Sequence, residues 1–293
     1  MRMMIFGAGY SGKAIGKLLS GQGVSVAGTT RSVEKGKALE ETGIRPFVFD
    51  GTSLSEPLRA ELAETTHLVQ SIAPGSEGDP LIRLCGQPGI KALMPKLEWI
   101  AYLSTVGVYG DHYGAWVNED TELKPVSVRS VERVEAEQAW QVVAARDDLP
   151  LAILRLSGIY GPGRNTFLNL ANGTARRLVK KDQVFNRIRV EDIALATAFL
   201  AGPKTGGIFN VTDDMPSPPQ DVVTEAARLM EMDAPAEQPF ETAELTPMAR
   251  SFYGENKRVS NAKIKALGFN FQYPNYHMSL ADLLGTGTWN QRT

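Results

Sequence analysis

The sequence predicts an α/β protein, a Rossmann-type doubly wound parallel sheet with a smaller C-terminal lobe. Three observations carry that expectation. Short segments, apolar on both faces, alternate with stretches of helical period through the first half of the chain. The first such segment runs into Gly7-Ala8-Gly9-Tyr10-Ser11-Gly12, a G-x-G-x-x-G turn that opens a helix. Far downstream, Pro216-Ser217-Pro218-Pro219 breaks the pattern, because consecutive prolines cannot continue a hydrogen-bonded ladder.

Taken in order, strands are expected at 3–6, 24–27, 46–49, 68–71, 99–104 and 151–156, each short and bounded by turn residues. Helices are expected between them over 12–21, 33–42, 58–64 and 128–146. After Arg164 the pattern loosens into a basic run at 176–181, a helix from Val190 through Leu200 and a strand at 208–211. Such a sheet takes its ligand at the carboxyl ends of the strands.

Composition narrows the partners. The chain has 293 residues, of which 43% are apolar, enough for a sizeable core. Its 31 basic and 33 acidic residues leave a net charge of −2, so no global field recruits nucleic acid or a membrane. Small molecules are the expected partners. The single cysteine, Cys85, excludes an internal disulfide and reads as a buried, inert thiol. His67, His112 and His277 show no metal-ligand spacing. The first six residues carry one positive charge and too short an apolar stretch for a signal peptide, and no run approaches a membrane span, so a cytoplasmic protein is expected.

The glycine turn assigns a dinucleotide pocket. Gly7 permits the tight turn, Gly9 lets backbone approach a pyrophosphate, and Gly12 lets the helix pack closely on the sheet. Tyr10 and Ser11 stand at the helix N-terminus, where phosphate charge is favoured. The second strand ends in Gly28-Thr29-Thr30-Arg31-Ser32, with no acid to accept from a ribose 2′-hydroxyl. Arg31 suits a 2′-phosphate, to which Thr30 and Ser32 can donate, so NADP is expected in preference to NAD. Residues 1–164 and 187–213 are then the NAD(P)-binding domain, and 165–186 with 214–293 the smaller substrate-binding lobe.

Further segments carry a family resemblance. They are Phe49-Asp50-Gly51, Ser71-Ile72-Ala73-Pro74, Leu103-Ser104-Thr105-Val106-Gly107-Val108-Tyr109-Gly110-Asp111, Asn118-Glu119-Asp120-Thr121, Glu137-Gln138-Ala139-Trp140, Arg155 through Gly161-Pro162-Gly163-Arg164, Val190-Glu191-Asp192-Ile193-Ala194 and Ser260-Asn261-Ala262-Lys263. Over nearly its whole length the chain resembles the extended short-chain dehydrogenase/reductases, the NAD-dependent epimerase/dehydratase family. The resemblance implies that Asp50, with Gly51, meets the adenine amine, that Ser71, Ile72 and Ala73 pass beneath the cofactor, and that Thr105 occupies the place of the catalytic Ser/Thr.

Where that family carries Tyr-x-x-x-Lys, this chain reads Arg129-Ser130-Val131-Glu132-Arg133. The family's phenol exchanges a proton with a hydroxyl as hydride moves, and a guanidinium cannot do so at neutral pH. Arg129 and Arg133, four apart on one helix, share a face and can bind an anion, or in the case of Arg133 the ribose hydroxyls. The resemblance is therefore to an atypical member. Tyr109, Tyr113, Tyr160, Tyr253 and His112 are the candidates for a displaced acid/base. On the substrate side Arg164 and Arg258, with Arg176, Arg177 and Arg189, suit an anionic, sugar-nucleotide-like ligand, although the run at 176–181 reads equally well as a solvated basic face. The 128–146 helix lies where family members dimerise, so a homodimer is possible. Two functions remain open: an oxidoreductase or epimerase with an atypical site, or a catalytically inactive NADP(H)-binding sensor or scaffold of the kind represented by NmrA-like regulators.

Overall fold

The computed structural model describes residues 1–86, 88–246 and 250–291. Along the chain, β1 (Arg2–Phe6), α1 (Tyr10–Gly21), β2 (Ser25–Thr30), α2 (Val33–Glu40), β3 (Arg45–Val48), α3 (Glu56–Glu64), β4 (His67–Gln70), α4 (Pro80–Cys85), α5 (Ile90–Leu93) and β5 (Trp99–Thr105) give the alternation expected of the first half. After β6 (Trp116–Val117) come α6 (Val128–Arg146), β7 (Leu151–Leu156), β8 (Gly158–Tyr160), α7 (Thr166–Ala171), β9 (Arg177–Val179), β10 (Arg187–Arg189), α8 (Val190–Ala201) and β11 (Gly207–Val211). Beyond the prolines lie α9 (Pro219–Leu229), β12 (Glu237–Pro239), β13 (Arg258–Val259), α10 (Ala262–Ala266) and α11 (Tyr276–Gly285).

Seven strands form the central parallel sheet in the order β11-β7-β5-β4-β1-β2-β3. β1 pairs in parallel with both β2 and β4, so strand order reverses there. In a doubly wound sheet that reversal marks the ligand crevice. β4 is buried along its whole length and β1 along all but its first residue, which is why these segments read as continuous apolar runs. β2 runs on past the expected stop at Ala27, because Thr29 and Thr30 still pair with Phe47 and Val48 of β3. Helix starts follow local capping: the Ser127 hydroxyl accepts from Ser130 N at 3.1 Å and fixes the start of α6 where the sequence predicted it.

Two compact units emerge, one of residues 1–108, 125–155 and 193–209, the other of 109–124, 156–192 and 210–293. The boundaries differ from those expected: 109–124, 156–164, 187–192 and 210–213 all pack with the second unit. Pairing explains the difference. β8 pairs with β10 and β6 with β13. The Asp192 carboxylate accepts from Gln272 N at 2.7 Å and Tyr273 N at 2.9 Å, and Asn261 Nδ2 donates to Thr212 O at 2.9 Å. In the first unit the core includes Met4, Phe6, Leu58, Ile100, Tyr102 and Trp140. In the second, α7, α9 and α11 bury Phe167, Val222, Ala226 and Leu280 against one another. Among the described residues no helix is long and apolar enough to cross a membrane.

Candidate cofactor site and the carboxyl end of β5

The turn after β1 uses its three glycines for different reasons. Gly7 has φ +81°, and a Cβ there would lie 2.8 Å from Ile72 Cγ1 and 3.0 Å from Ile72 N. A Cβ on Gly12 would sit 2.9 Å from Gly7 O and 3.1 Å from Ile5 Cγ2. The fold itself therefore requires glycine at both places. Gly9 is different, with φ −80° and no atom closer than 3.9 Å to a Cβ built on it. Nothing inside the protein demands glycine there, and the space above it suits a ligand that approaches the backbone closely.

Hydrogen bonds hold this turn open. Gly7 N donates to Thr29 Oγ1 at 2.8 Å and Ala8 N to Thr29 O at 2.9 Å, so the buried Thr29 of β2 anchors it. Lys13 N donates to Gly9 O at 2.7 Å and closes the first turn of α1, which has no side-chain cap. The N–H groups of Ser11 and Gly12 precede any intrahelical acceptor and are directed at the space where an anion would sit.

At the end of β2, Thr30 is half-buried, while Arg31 is exposed and makes no hydrogen bond or ion pair among the described residues. Ser32 stands beside an acid that the sequence reading passed over: Glu34, whose carboxyl is held low by its own backbone N–H and then by the Ser32 hydroxyl. Ser32 is thus partly committed before any phosphate arrives. Asp50 is exposed, and its Oδ1 accepts from Thr52 N at 2.8 Å and Thr52 Oγ1 at 2.7 Å, a turn completed by Gly51 at φ +94°. Ser71 N donates to Phe6 O at 2.9 Å and Ile72 N to Gln70 Oε1 at 3.3 Å, so the strand-four loop, with exposed Ala73, lies against Gly7.

The carboxyl end of β5 separates its two hydroxyls. Ser104 is buried and donates to Glu137 Oε1 at 2.5 Å, and Glu137 in turn accepts from Arg155 Nε at 3.1 Å and Nη2 at 2.7 Å. That fully desolvated ion pair ties β5, α6 and β7 together. Thr105 is half-buried and accepts only Gly107 N, at 3.1 Å, among the described bonds, so its own proton is free for a substrate. A Cβ on Gly107 would lie 3.4 Å from Thr105 Oγ1 and 3.1 Å from Ser130 Oγ, which places Thr105 beside the first turn of α6.

Arg129 and Arg133, expected to act together from one face, part company. Arg133 Nη1 donates to Leu103 O at 2.6 Å and to Tyr102 Oη at 3.4 Å, with its guanidinium 5.8 Å from the Tyr102 ring centroid. Arg129 is exposed and makes no contact of this kind among the described residues. The reason is reach: the β5 carbonyl lies within range of Arg133 and captures it. Donors remain on Arg133, since a guanidinium carries five.

The displaced acid/base candidates all belong to the second unit. Tyr109 is buried and donates to Asn210 Oδ1 at 2.8 Å, His112 Nε2 lies 3.0 Å from Tyr109 O, and burial pushes the Tyr160 and Tyr253 phenols up. Only Tyr113 is open, at 93% exposure. Arg189 is a structural residue, buried with Glu191 at 2.7 Å and Asp282 at 3.0 Å. Arg258 donates to Gly114 O, and Arg164 is exposed. The run at 176–181 is pinned by the protein itself: Arg176 to Glu244 O, Arg177 to Glu237 at 2.7 Å and Lys180 to Tyr253 O. Asp213 and Asp214 line a cavity of about 370 Å³ in this unit with Trp116, Asn261 and Lys265.

Sequence reasoning missed Asp79. It is buried, and its carboxylate accepts from Gln70 Nε2 at 2.8 Å, Leu81 N at 2.8 Å, Ile82 N at 3.2 Å and Trp140 Nε1 at 3.1 Å. Asp before Pro80 is a helix-start signal that locates the cap, though not its distant partners.

Comparison with known proteins follows from this geometry. The model of the NAD-dependent epimerase/dehydratase family matches residues 79–211. A functionally unknown conserved protein from Silicibacter pomeroyi DSS is 43% identical, with a TM-score of 0.87 over 98% of this chain and 99% of that one. UDP-glucuronic acid 4-epimerase from Bacillus cereus in complex with NAD shares the fold at 15% identity and a TM-score of 0.76, over 97% and 98%. UDP-glucose 4-epimerase from Thermus thermophilus, also in complex with NAD, does so at 19% and 0.71, over 97% and 99%. No curated protein matches. The chain belongs to the NAD-dependent epimerase/dehydratase family.

Proposed function

We propose that this chain binds NADP(H) in preference to NAD(H) and acts as an oxidoreductase or epimerase on a small, anionic, sugar-nucleotide-like substrate through an atypical active site. The observation that carries the reading is Gly9, a glycine that no internal contact explains, at the mouth of an uncapped helix. In this reading residues 10–12 hold the pyrophosphate at the start of α1, Arg31 pairs with the 2′-phosphate, and Asp50 meets the adenine. The loop at Ser71, Ile72 and Ala73 underlies the cofactor, and Arg133 uses its spare donors on the ribose. The dinucleotide, when bound, supplies hydride chemistry. Thr105 donates its hydroxyl proton in a hydrogen bond to the substrate oxygen while accepting from Gly107 N. Arg129 stays protonated and binds or polarises an anionic group without exchanging a proton. Arg164 and Arg258 contribute charge on the substrate side. A homodimer through α6 belongs to this reading, with Val128 at 75% and Val142 at 69% exposure on that helix.

The replacement of both family residues by arginine supports a second reading, a sensor or scaffold that binds the dinucleotide without turnover. A panel of sugar nucleotides and small anionic carbonyl compounds separates the two, followed both by net oxidation or reduction of the dinucleotide and by chromatography of the products, since epimerisation consumes no dinucleotide. The enzyme reading expects measurable turnover on some panel member. On sugar nucleotides it expects a rate lower than that of Arg129→Tyr with Arg133→Lys by a factor on the order of a hundred to ten thousand. Binding without turnover anywhere supports the sensor. Sugar-nucleotide turnover by the native chain as fast as that of the double variant would refute the sensor and the atypical site, and leave an ordinary enzyme of the family.

A further inference from the structure

The buried polar groups of the first unit converge on one carboxylate. Asp79 accepts from Gln70 Nε2 with both of its oxygens, at 2.8 Å each, and the Gln70 carbonyl in turn accepts Ile72 N at 3.3 Å. Ile72 is the residue against which Gly7 is packed, within 3.0 Å of the Cβ that Gly7 lacks. In the other direction Asp79 accepts Trp140 Nε1 at 3.1 Å. The Trp140 ring stacks on Tyr102 with centroids 6.3 Å apart, and Tyr102 carries the guanidinium of Arg133 over its face. Two chains of contact therefore leave Asp79, one ending at the glycine turn and one at Arg133. Leu81 N and Ile82 N at the start of α4 fill its remaining acceptor positions.

We propose that Asp79 is the positioning residue of the dinucleotide site, setting the strand-four loop against Gly7 and the α6 guanidinium of Arg133 from a single buried carboxylate. The proposal rests on the cofactor reading above. Its force comes from donor and acceptor arithmetic. All the hydrogens around Asp79 point inward at an acceptor-only group, so an amide of the same shape cannot replace it. In Asp79→Asn the amide oxygen can still serve Leu81 and Ile82, but the introduced NH₂ meets the NH₂ of Gln70. Gln70 can escape only by flipping, and it then turns its NH₂ toward Ile72 N–H. The mismatch is handed to the residue that borders the glycine turn. In Asp79→Asn combined with Gln70→Glu the carboxylate has moved one place along the chain, and it accepts from both the new amide and Ile72 N–H.

The experiment titrates native and variant proteins with NADPH and, separately, with adenosine 2′-monophosphate, which carries no 5′-phosphate and reaches only the Arg31 end. Asp79→Asn should weaken NADPH by about tenfold or more, the cost of one buried hydrogen bond left unmade, and leave the monophosphate unchanged. The double variant should recover the loss carried by the Gln70 branch and keep only the several-fold deficit of the Trp140 branch, because the new amide still faces Trp140 Nε1–H. Trp140→Phe, which keeps an aromatic ring at the site but removes the indole N–H donor, should weaken NADPH several-fold and decides the matter if Asp79→Asn does not fold. If native protein shows no saturable NADPH binding, the cofactor reading itself falls. If native protein binds and a folded Asp79→Asn, or Trp140→Phe in its place, binds NADPH equally well, the positioning role is overturned and the cofactor reading stands. Equal weakening of NADPH and the monophosphate would also overturn it, because a general structural defect does not choose between the two halves of a ligand.

Discussion

Alanine at Gly9 and at Gly7 should have opposite consequences, although the two glycines are two residues apart in one turn. At Gly9 the chain has φ −80° and the nearest atom to a new Cβ is 3.9 Å away, so the folded protein accommodates the methyl without displacement. Loss of backbone freedom in the unfolded chain should leave stability unchanged or raised by about 0.4 to 1 kcal/mol. At Gly7 the new Cβ would stand at φ +81° and 2.8 Å from Ile72 Cγ1. Left-handed strain of about 1–2 kcal/mol and overpacking of about 1–3 kcal/mol both act there, and stability should fall by about 2–5 kcal/mol. Ligand affinity follows a different logic. Each hydrogen bond from backbone N–H to a charged phosphate oxygen is worth about 1.5–3 kcal/mol, so losing one at Gly9→Ala weakens NADPH by roughly ten- to a hundred-and-fifty-fold. Gly9→Val should weaken it further. Urea unfolding and calorimetric titration of the same preparations give both quantities. A Gly9→Ala protein that binds NADPH as tightly as native, or one that unfolds at much lower urea, would refute the assignment of that space to a ligand.

Arg31→Ala should remove most of the NADP preference while sparing NAD affinity, read as the ratio of the two dissociation constants; a ratio unaltered by the substitution contradicts the pairing. Asp213 is buried, with its carboxyl pushed up from 3.8 to about 8 by desolvation and Oδ2 unpartnered among the described residues. Between pH 4 and 8 the unfolded carboxyl is ionised and the folded one protonated, so this group lowers stability as pH rises. Asp213→Asn should remove that dependence and gain most near pH 8, with an upper limit of about 5 kcal/mol at about 1.4 kcal/mol per pH unit, measured by urea midpoints across pH. Glu137→Gln should cost about 3 kcal/mol or more because Arg155 is left charged and buried, whereas breaking an exposed pair such as Lys96 with Glu64 should leave the urea midpoint nearly unchanged. Cys85 is buried and its thiol is pushed up to about 12, so iodoacetamide at pH 8 should label it only as the protein unfolds; rapid native labelling would contradict the burial.

The sheet was legible because its strands are apolar on both faces and their turns are short, and α6 because Ser127 caps it and Arg146 ends it. The glycine turn was legible for the same local reason. What the sequence hid are partnerships between distant positions. Asp79 and Trp140 are 61 residues apart, Ser104 and Glu137 are 33 apart, and Arg189 and Ser279 are 90 apart. A charged or polar residue announces its type in a sequence, but whether it is solvated or satisfied in the interior depends on which strands the topology brings together. Arg189 therefore read as a substrate residue and is a buried tie, while Arg133 read as half of an anion-binding pair on one helix face and is held by a β5 carbonyl. The domain boundaries moved for a related reason, since two- and three-residue strands such as β6 and β13 carry too little pattern to be seen before they pair.

The most direct test of the central claim is an equilibrium titration of the native chain with NADPH and NADH at fixed salt. The account predicts saturable binding of NADPH, about tenfold or more tighter than NADH, from the charge-assisted pair with Arg31. Absence of saturable binding by either dinucleotide would contradict it.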